Sequence, residues 1–296
     1  MSSSIPPLGV TAASQTRWHL ASELVSGCPP ALGLEVALTG SVGRGVADGE
    51  SDIELNLWVE ALPTETDMVN WLRAAGATDI VVDAEPIETG SIWITFRFSD
   101  VWVEAGWQTI AALEQSVRAI LAGAIVDHPR LVLAEIIEHA VPLRTIGFLA
   151  AWQHELAQYP ETVQQRVIAA AIENWCFPHF VGARWTAVRR NHRHWLAHLL
   201  VRDVDNVLRL IFALNRRWEP DWKWLEHHTA GLPIKPDRLI ERIGQIFATR
   251  QPEQSVAVCQ QLILDALALV PPTHDVRRAR AAIQAALNAD PRGRAS

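Results

Sequence analysis

Three acidic side chains and one glycine-rich turn have the types and spacing that chemistry requires. Gly40-Ser41 closes an apolar run and is followed by Gly43, Arg44 and Gly45; ten residues separate Ser41 from Asp52-Ile53-Glu54. Strand alternation sets Asp52, Glu54 and Asn56 on one face and Ile53, Leu55 and Leu57 on the other. Such a strand ordinarily gives its polar face to water. The preceding turn suggests another use, because glycines let backbone N–H groups approach a phosphate. Two carboxylates two residues apart, beside that turn, suit Mg²⁺ held against a nucleotide's phosphates. Glu104, inside VWVEAGW, is a third acid among apolar neighbours. Alone it reads as an edge-strand residue facing water. Together with Asp52 and Glu54 it points to a metal site, since a central-strand carboxylate needs a metal, a cation or a proton.

The pattern Gly-Ser, spacer, Asp-x-Glu between apolar residues resembles the nucleotidyltransferase superfamily that includes DNA polymerase beta. Within it, GSVGRGVADGESDIEL and the later VWVEAGWQTIAAL look most like the antibiotic-modifying branch of the kanamycin nucleotidyltransferase type, over residues 34–115. ALNRRWEPDWKWLEHH (213–228) is also similar to an uncharacterised bacterial family that joins this domain to a helical one. The resemblance implies that Gly40, Ser41 and nearby amides bind the β and γ phosphates and that Arg44 neutralises them. It implies that Asp52 and Glu54 ligate one or two Mg²⁺, with Glu104 as general base or third ligand. The implied reaction is Mg²⁺-dependent transfer of a nucleoside monophosphate from an NTP to a hydroxyl of a small, polar, aminoglycoside-like acceptor, with pyrophosphate released. The alternatives are a toxin-type enzyme acting on tRNA or protein, and an inactive nucleotide-binding protein on the same fold.

Other features carry weaker signals. Lys223, one of only two lysines, sits between Trp222 and Trp224 and suits a triphosphate contact, although a cation resting on tryptophan is the commoner arrangement. Trp218, Trp222 and Trp224 suit helix packing better than base stacking. His192, His194 and His198 lack a third ligand at metal spacing and read, with Arg184, Arg189, Arg190 and Arg193, as a solvated helix face.

These residues must be positioned by elements of two kinds. The first part reads as mixed α/β: a helix over 14–26 capped at Ser14 or Thr16, strands over 34–39 and 52–59, a helix from Thr64 to Ala75, a strand over 79–83, and a hairpin of 91–98 and 101–107 turning at Ser99-Asp100. Beyond Thr109 the period is helical, with segments at 109–122, 130–139, 145–158, 161–175, 180–200, 203–217, 235–249, 253–269 and 273–289. The expected fold class is α+β: a mixed-sheet catalytic domain over 1–125 and an all-helical substrate-binding domain over 126–296. At 296 residues and 49% hydrophobic, the chain is too apolar for disorder and long enough for two cores. The net charge of −7 weighs against a protein that coats nucleic acid. Three scattered cysteines indicate neither zinc site nor disulfide framework. MSSSIPPLGV has no signal-peptide character, and no stretch suffices for a membrane span, so the expectation is a cytoplasmic protein; a homodimer is compatible with the sequence.

Overall fold

The computed structural model describes residues 10–83 and 91–288. The N-terminal nonapeptide of the expected non-signal segment and residue 289 of the last expected helix lie outside the described residues. In chain order the elements begin α1 (Ala12–Ser26), β1 (Glu35–Thr39), α2 (Gly40–Gly43), β2 (Ile53–Val59), α3 (Glu65–Ala74), β3 (Thr78–Asp83), β4 (Ile92–Phe98) and β5 (Val101–Thr109). Next come α4 (Ile110–Leu121), α5 (His128–His139), β6 (Val141–Arg144), α6 (Phe148–Leu156) and α7 (Glu161–Ile172). The remainder is helical: α8 (Pro178–Arg189), α9 (Arg193–Leu214), α10 (Leu225–Ala230), α11 (Leu239–Ala248), α12 (Pro252–Ala268) and α13 (His274–Asn288). The class is α+β, with a six-stranded mixed sheet in the N-terminal part and helices beyond it.

The strand order is β3-β4-β5-β2-β1-β6. Only β2 and β5 run parallel; the other neighbours are antiparallel. Ser99 and Asp100 both take positive φ (48° and 62°), the geometry a two-residue hairpin needs to match strand twist. One sheet face is apolar throughout: Leu38, Ile53, Leu55, Leu57, Ile94, Phe96, Val103, Ala105 and Trp107 are fully buried. Leu24 of α1 and Met68 and Leu72 of α3 belong to the same core, and Trp71 meets Trp107 edge-on at 6.2 Å. Burying one such side chain contributes roughly 1.5–3 kcal/mol, so this face fixes the register. The opposite face is covered at Glu35, Ala37 and Trp58, where Trp152 of α6 meets Trp58 edge-on at 5.3 Å, and is more open at Asp52, Glu54 and Glu104.

The chain forms two compact units, and it passes between them more than once. The first comprises 1–124 and 133–158, the second 125–132 and 159–296. Residues 133–158, expected in the helical part, return to the sheet because β6, an element the sequence pattern missed, pairs with β1. Glu35 reinforces this return. Its buried carboxylate accepts from the Thr145 hydroxyl and from the N–H groups of Ile146 (2.8 Å), Phe148 (3.3 Å) and Leu149 (3.2 Å), capping α6.

In the second unit the expected helix over 180–200 breaks at Asn191, whose φ is 53°. Asn tolerates this left-handed position, and the Asn191 and His192 N–H groups close back onto Val188 and Ala187. No break follows near 200; α9 runs for 22 residues. Helix α10 follows Lys223 and Trp224. Arg184, expected on a solvated face, is instead buried: its guanidinium grips Asp203, which also accepts from Trp175 Nε1 at 2.9 Å. An Arg–Asp fork that fills its hydrogen bonds makes a charge tolerable in a core.

All three cysteines are buried and free. Burial pushes the Cys28 thiol up to about 11, against the weaker opposing pull of Arg144, and raises Cys176 and Cys259 as well. Unfolded thiols ionise near pH 8.5, so above that the unfolded chain binds fewer protons than the native one and stability falls with pH. Urea midpoints at pH 7.5 and 9.5 should show a loss of stability that Cys28→Ala reduces by about 1 kcal/mol, the other two thiols supplying the rest.

Candidate active site

The less covered end of the second sheet face carries the acids. A single row of register partners crosses four strands: Thr39 on β1, Glu54 on β2, Glu104 on β5 and Thr95 on β4. Glu54 and Glu104 therefore stand side by side on the parallel pair, where strand spacing is about 4.8 Å. Asp52, two residues before Glu54, shares with Glu104 the wall of an open cavity of about 530 Å³. Thr95, Arg97, Asp100, Trp102, Glu50 and Arg17 also line it. Glu104 is exposed, while Asp52 and Glu54 are half-buried. As oriented, no three His, Cys, Asp or Glu side chains among the described residues stand close enough to hold a metal ion. The donor set itself is all carboxylate oxygen, which suits a hard divalent cation.

The glycine turn is built against Glu54. Gly40 has φ +62°, and a Cβ added there would lie 2.3 Å from Glu54 Oε1. The carboxylate is thus seated on the Gly40 backbone, and a side chain at this position would strain the backbone and push the carboxylate away. After Gly40 the chain makes the single turn of α2, closed by Arg44 N–H to Gly40 O (3.1 Å) and Val46 N–H to Ser41 O (2.9 Å). The glycine-rich turn thus begins with one helical turn over 40–43. Asn56 Nδ2 donates to Thr39 Oγ1 at 2.9 Å, bracing the strand just before the turn.

Helix α1 holds the loop between Ser41 and Asp52. Its cap residue Thr11 donates to Ala47 O at 2.6 Å, and Ser14 Oγ accepts from Ala47 N–H at 3.0 Å. Arg17, almost fully buried, donates from Nε to Ser51 O (2.6 Å) and from Nη2 to Gly49 O (2.9 Å). Arg17 therefore fixes the backbone leading into Asp52 while forming part of the cavity wall. Nothing in the sequence marks it, since an arginine in an amphipathic helix normally faces water. Across the cavity the Arg97 guanidinium lies 4.6 Å over the Trp102 ring.

The Arg44 guanidinium forms a fork with the carboxylate of Glu135 in α5, with Nε to Oε1 at 2.8 Å, and both side chains are nearly buried. Its charge is matched within the protein and ties the glycine turn to α5. Glu135→Gln should lower the melting temperature, costing about 1–3 kcal/mol because a buried guanidinium loses its counter-charge.

Lys223 belongs to the second unit, where it is exposed and its backbone N–H donates to Asp221 Oδ1 at 2.9 Å. Of the nearby tryptophans, Trp218 is buried against Tyr159 (4.5 Å), and Trp222 stacks on His128 at 4.9 Å. His128 Nδ1 and Arg209 share the buried carboxylate of Glu219. These contacts make the aromatic cluster part of the helical packing.

A family model described as a domain of unknown function (DUF4037) matches residues 127–225, a third of the chain. No curated protein matches the chain. Among solved structures, a nucleotidyltransferase-like protein from Exiguobacterium sibiricum is similar at 9% identity, over 94% of this chain and 76% of that one, with a TM-score of 0.34. Neither likeness singles out the antibiotic-modifying branch. Among the described residues no helix is long and apolar enough to cross a membrane.

Proposed function

We propose that the first unit transfers a nucleoside monophosphate from an NTP to a hydroxyl group of a small polar acceptor. The observation that carries this reading is the pairing of Glu54 with Glu104 on parallel strands, with Asp52 on the same face and Glu54 seated on Gly40. Asp52 and Glu54 would hold Mg²⁺, with Glu104 as a further ligand or as base; the ion would supply charge neutralisation at the phosphates. The amides of the Gly40–Gly43 turn bind phosphate oxygens, as the polarity of a helix start favours. Glu104, exposed on the cavity wall, accepts the proton of the acceptor hydroxyl. The hydroxyl oxygen bonds to the α-phosphorus, the bond to the bridging oxygen breaks, and pyrophosphate departs. Positioning and electrostatics account for most of the rate. The acids Glu50, Asp52, Asp100 and Glu104 around the cavity favour an acceptor with positive charge, such as an aminoglycoside.

The test is to incubate each labelled NTP with Mg²⁺ and, in turn, aminoglycosides, bulk tRNA and the protein alone. Label transfer and pyrophosphate release with a small acceptor support the reading, and labelled tRNA or labelled protein would reassign the acceptor. NTP binding without pyrophosphate release would make the chain an inactive nucleotide binder, the reading favoured by the separation of the three carboxylates as oriented.

A further inference from the structure

The stretch from Asn174 to Arg202 contains no Asp or Glu, in a chain whose net charge is −7. Its basic residues gather where α8 turns into α9. Arg189, Arg190, His192, Arg193, His194, Trp195 and His198 are all exposed, while Leu196, Leu199 and Leu200 face inward. Among the described residues none of the three arginines has a carboxylate partner. Arg189 donates to Thr186 Oγ1 (3.1 Å) and Arg193 to Asn191 Oδ1 (3.2 Å), both neutral. The contrast with Arg44, Arg184, Arg209, Arg238 and Arg242, each matched to an acid, is plain. Trp195 is 38% exposed in the middle of this corner, with the His192 ring 6.2 Å away.

We infer that the α8–α9 corner binds single-stranded nucleic acid, for which RNA serves as the probe. Unmatched guanidiniums gain most from phosphates, because each contact releases a condensed counterion. An exposed indole among cations adds a face on which a base stacks, as single-strand binders use. The burial of the corner's leucines argues against an anionic membrane surface. Membrane-lying helices oppose a broad apolar face to their cations, and here the leucines of the turn point into the core instead. Asn191 matters to the arrangement: its left-handed backbone breaks one long helix into two and brings cations from both to one corner.

The test uses the full chain without NTP or Mg²⁺, so it is independent of the proposed catalysis. A fluorescein-labelled single-stranded RNA 20-mer of mixed sequence is titrated by anisotropy between 0.05 and 0.3 M salt, roughly the range over which counterion release is read. Three phosphate contacts predict a log–log slope of about −2. Arg190→Ala with Arg193→Ala should reduce the slope by about 1.4 and weaken binding at 0.1 M salt about 25-fold. Trp195→Ala should weaken binding about tenfold and leave the slope unchanged. Unchanged melting temperatures certify these surface variants as folded. Absence of salt-dependent binding, indifference to both variants, or equal affinity for duplex DNA or for phosphatidylserine vesicles would overturn the inference.

Discussion

Asp52→Asn is expected to fold as the wild type does and to lose nucleotidyl transfer by about a thousandfold, the scale seen when one electrostatic contact to a developing charge is removed. Asn is nearly isosteric with Asp, so the loop clamped by Arg17 stays as it is. One negative charge fewer on the acidic face relieves repulsion, so the melting temperature should hold or rise. Both measurements are needed. Lost transfer at unchanged or higher stability identifies Asp52 as part of the site. Retention of near wild-type transfer with its full Mg²⁺ dependence would remove it from the mechanism.

Gly40→Ala tests the seat beneath Glu54. The added methyl would meet the carboxylate at 2.3 Å, on a backbone whose φ of +62° favours glycine. The left-handed conformation costs about 1–2 kcal/mol for an alanine, read as a lower melting temperature. Displacing Glu54 by about 1 Å should cost a further hundredfold in transfer. Gly49→Ala is the control: the same loop, but nothing lies within 4 Å of its added Cβ. That variant should keep both stability and activity. Equal behaviour of the two variants would mean that the Gly40–Glu54 contact does not serve the site.

The sheet was legible because one face of each strand is apolar at period two, and the hairpin because Ser99-Asp100 separates two such runs. The Thr64 cap was legible too: its hydroxyl accepts from Asp67 N–H, as the Thr-x-x-Asp spacing requires. What escaped the pattern was set by partners distant in sequence. The four residues of β6 carry Pro142 and offer too short a period; β1 recruits them. Glu35 looks like any strand carboxylate until the start of α6 is brought to it. The pairing of Glu54 with Glu104 depends on β5 lying beside β2, a topological fact that alternation alone does not contain. The partner of Arg44 escaped the sequence for a related reason. The position of Arg44 beside glycines suited a phosphate, and Glu135, ninety-one residues on, pairs with it.

The return of residues 133–158 to the sheet bears on how this molecule can be divided. A cut at 125 removes β6, leaving β1 as a bare sheet edge and Glu35 as a buried charge without the four groups that now donate to it. A bare edge invites pairing with other chains, and an orphaned buried carboxylate unsettles the fold that holds it. The first unit is therefore no cassette to be lifted out at one joint. Its stretch of the gene is interrupted by codons for residues 125–132 of the second unit, so a single cut cannot separate the two cleanly.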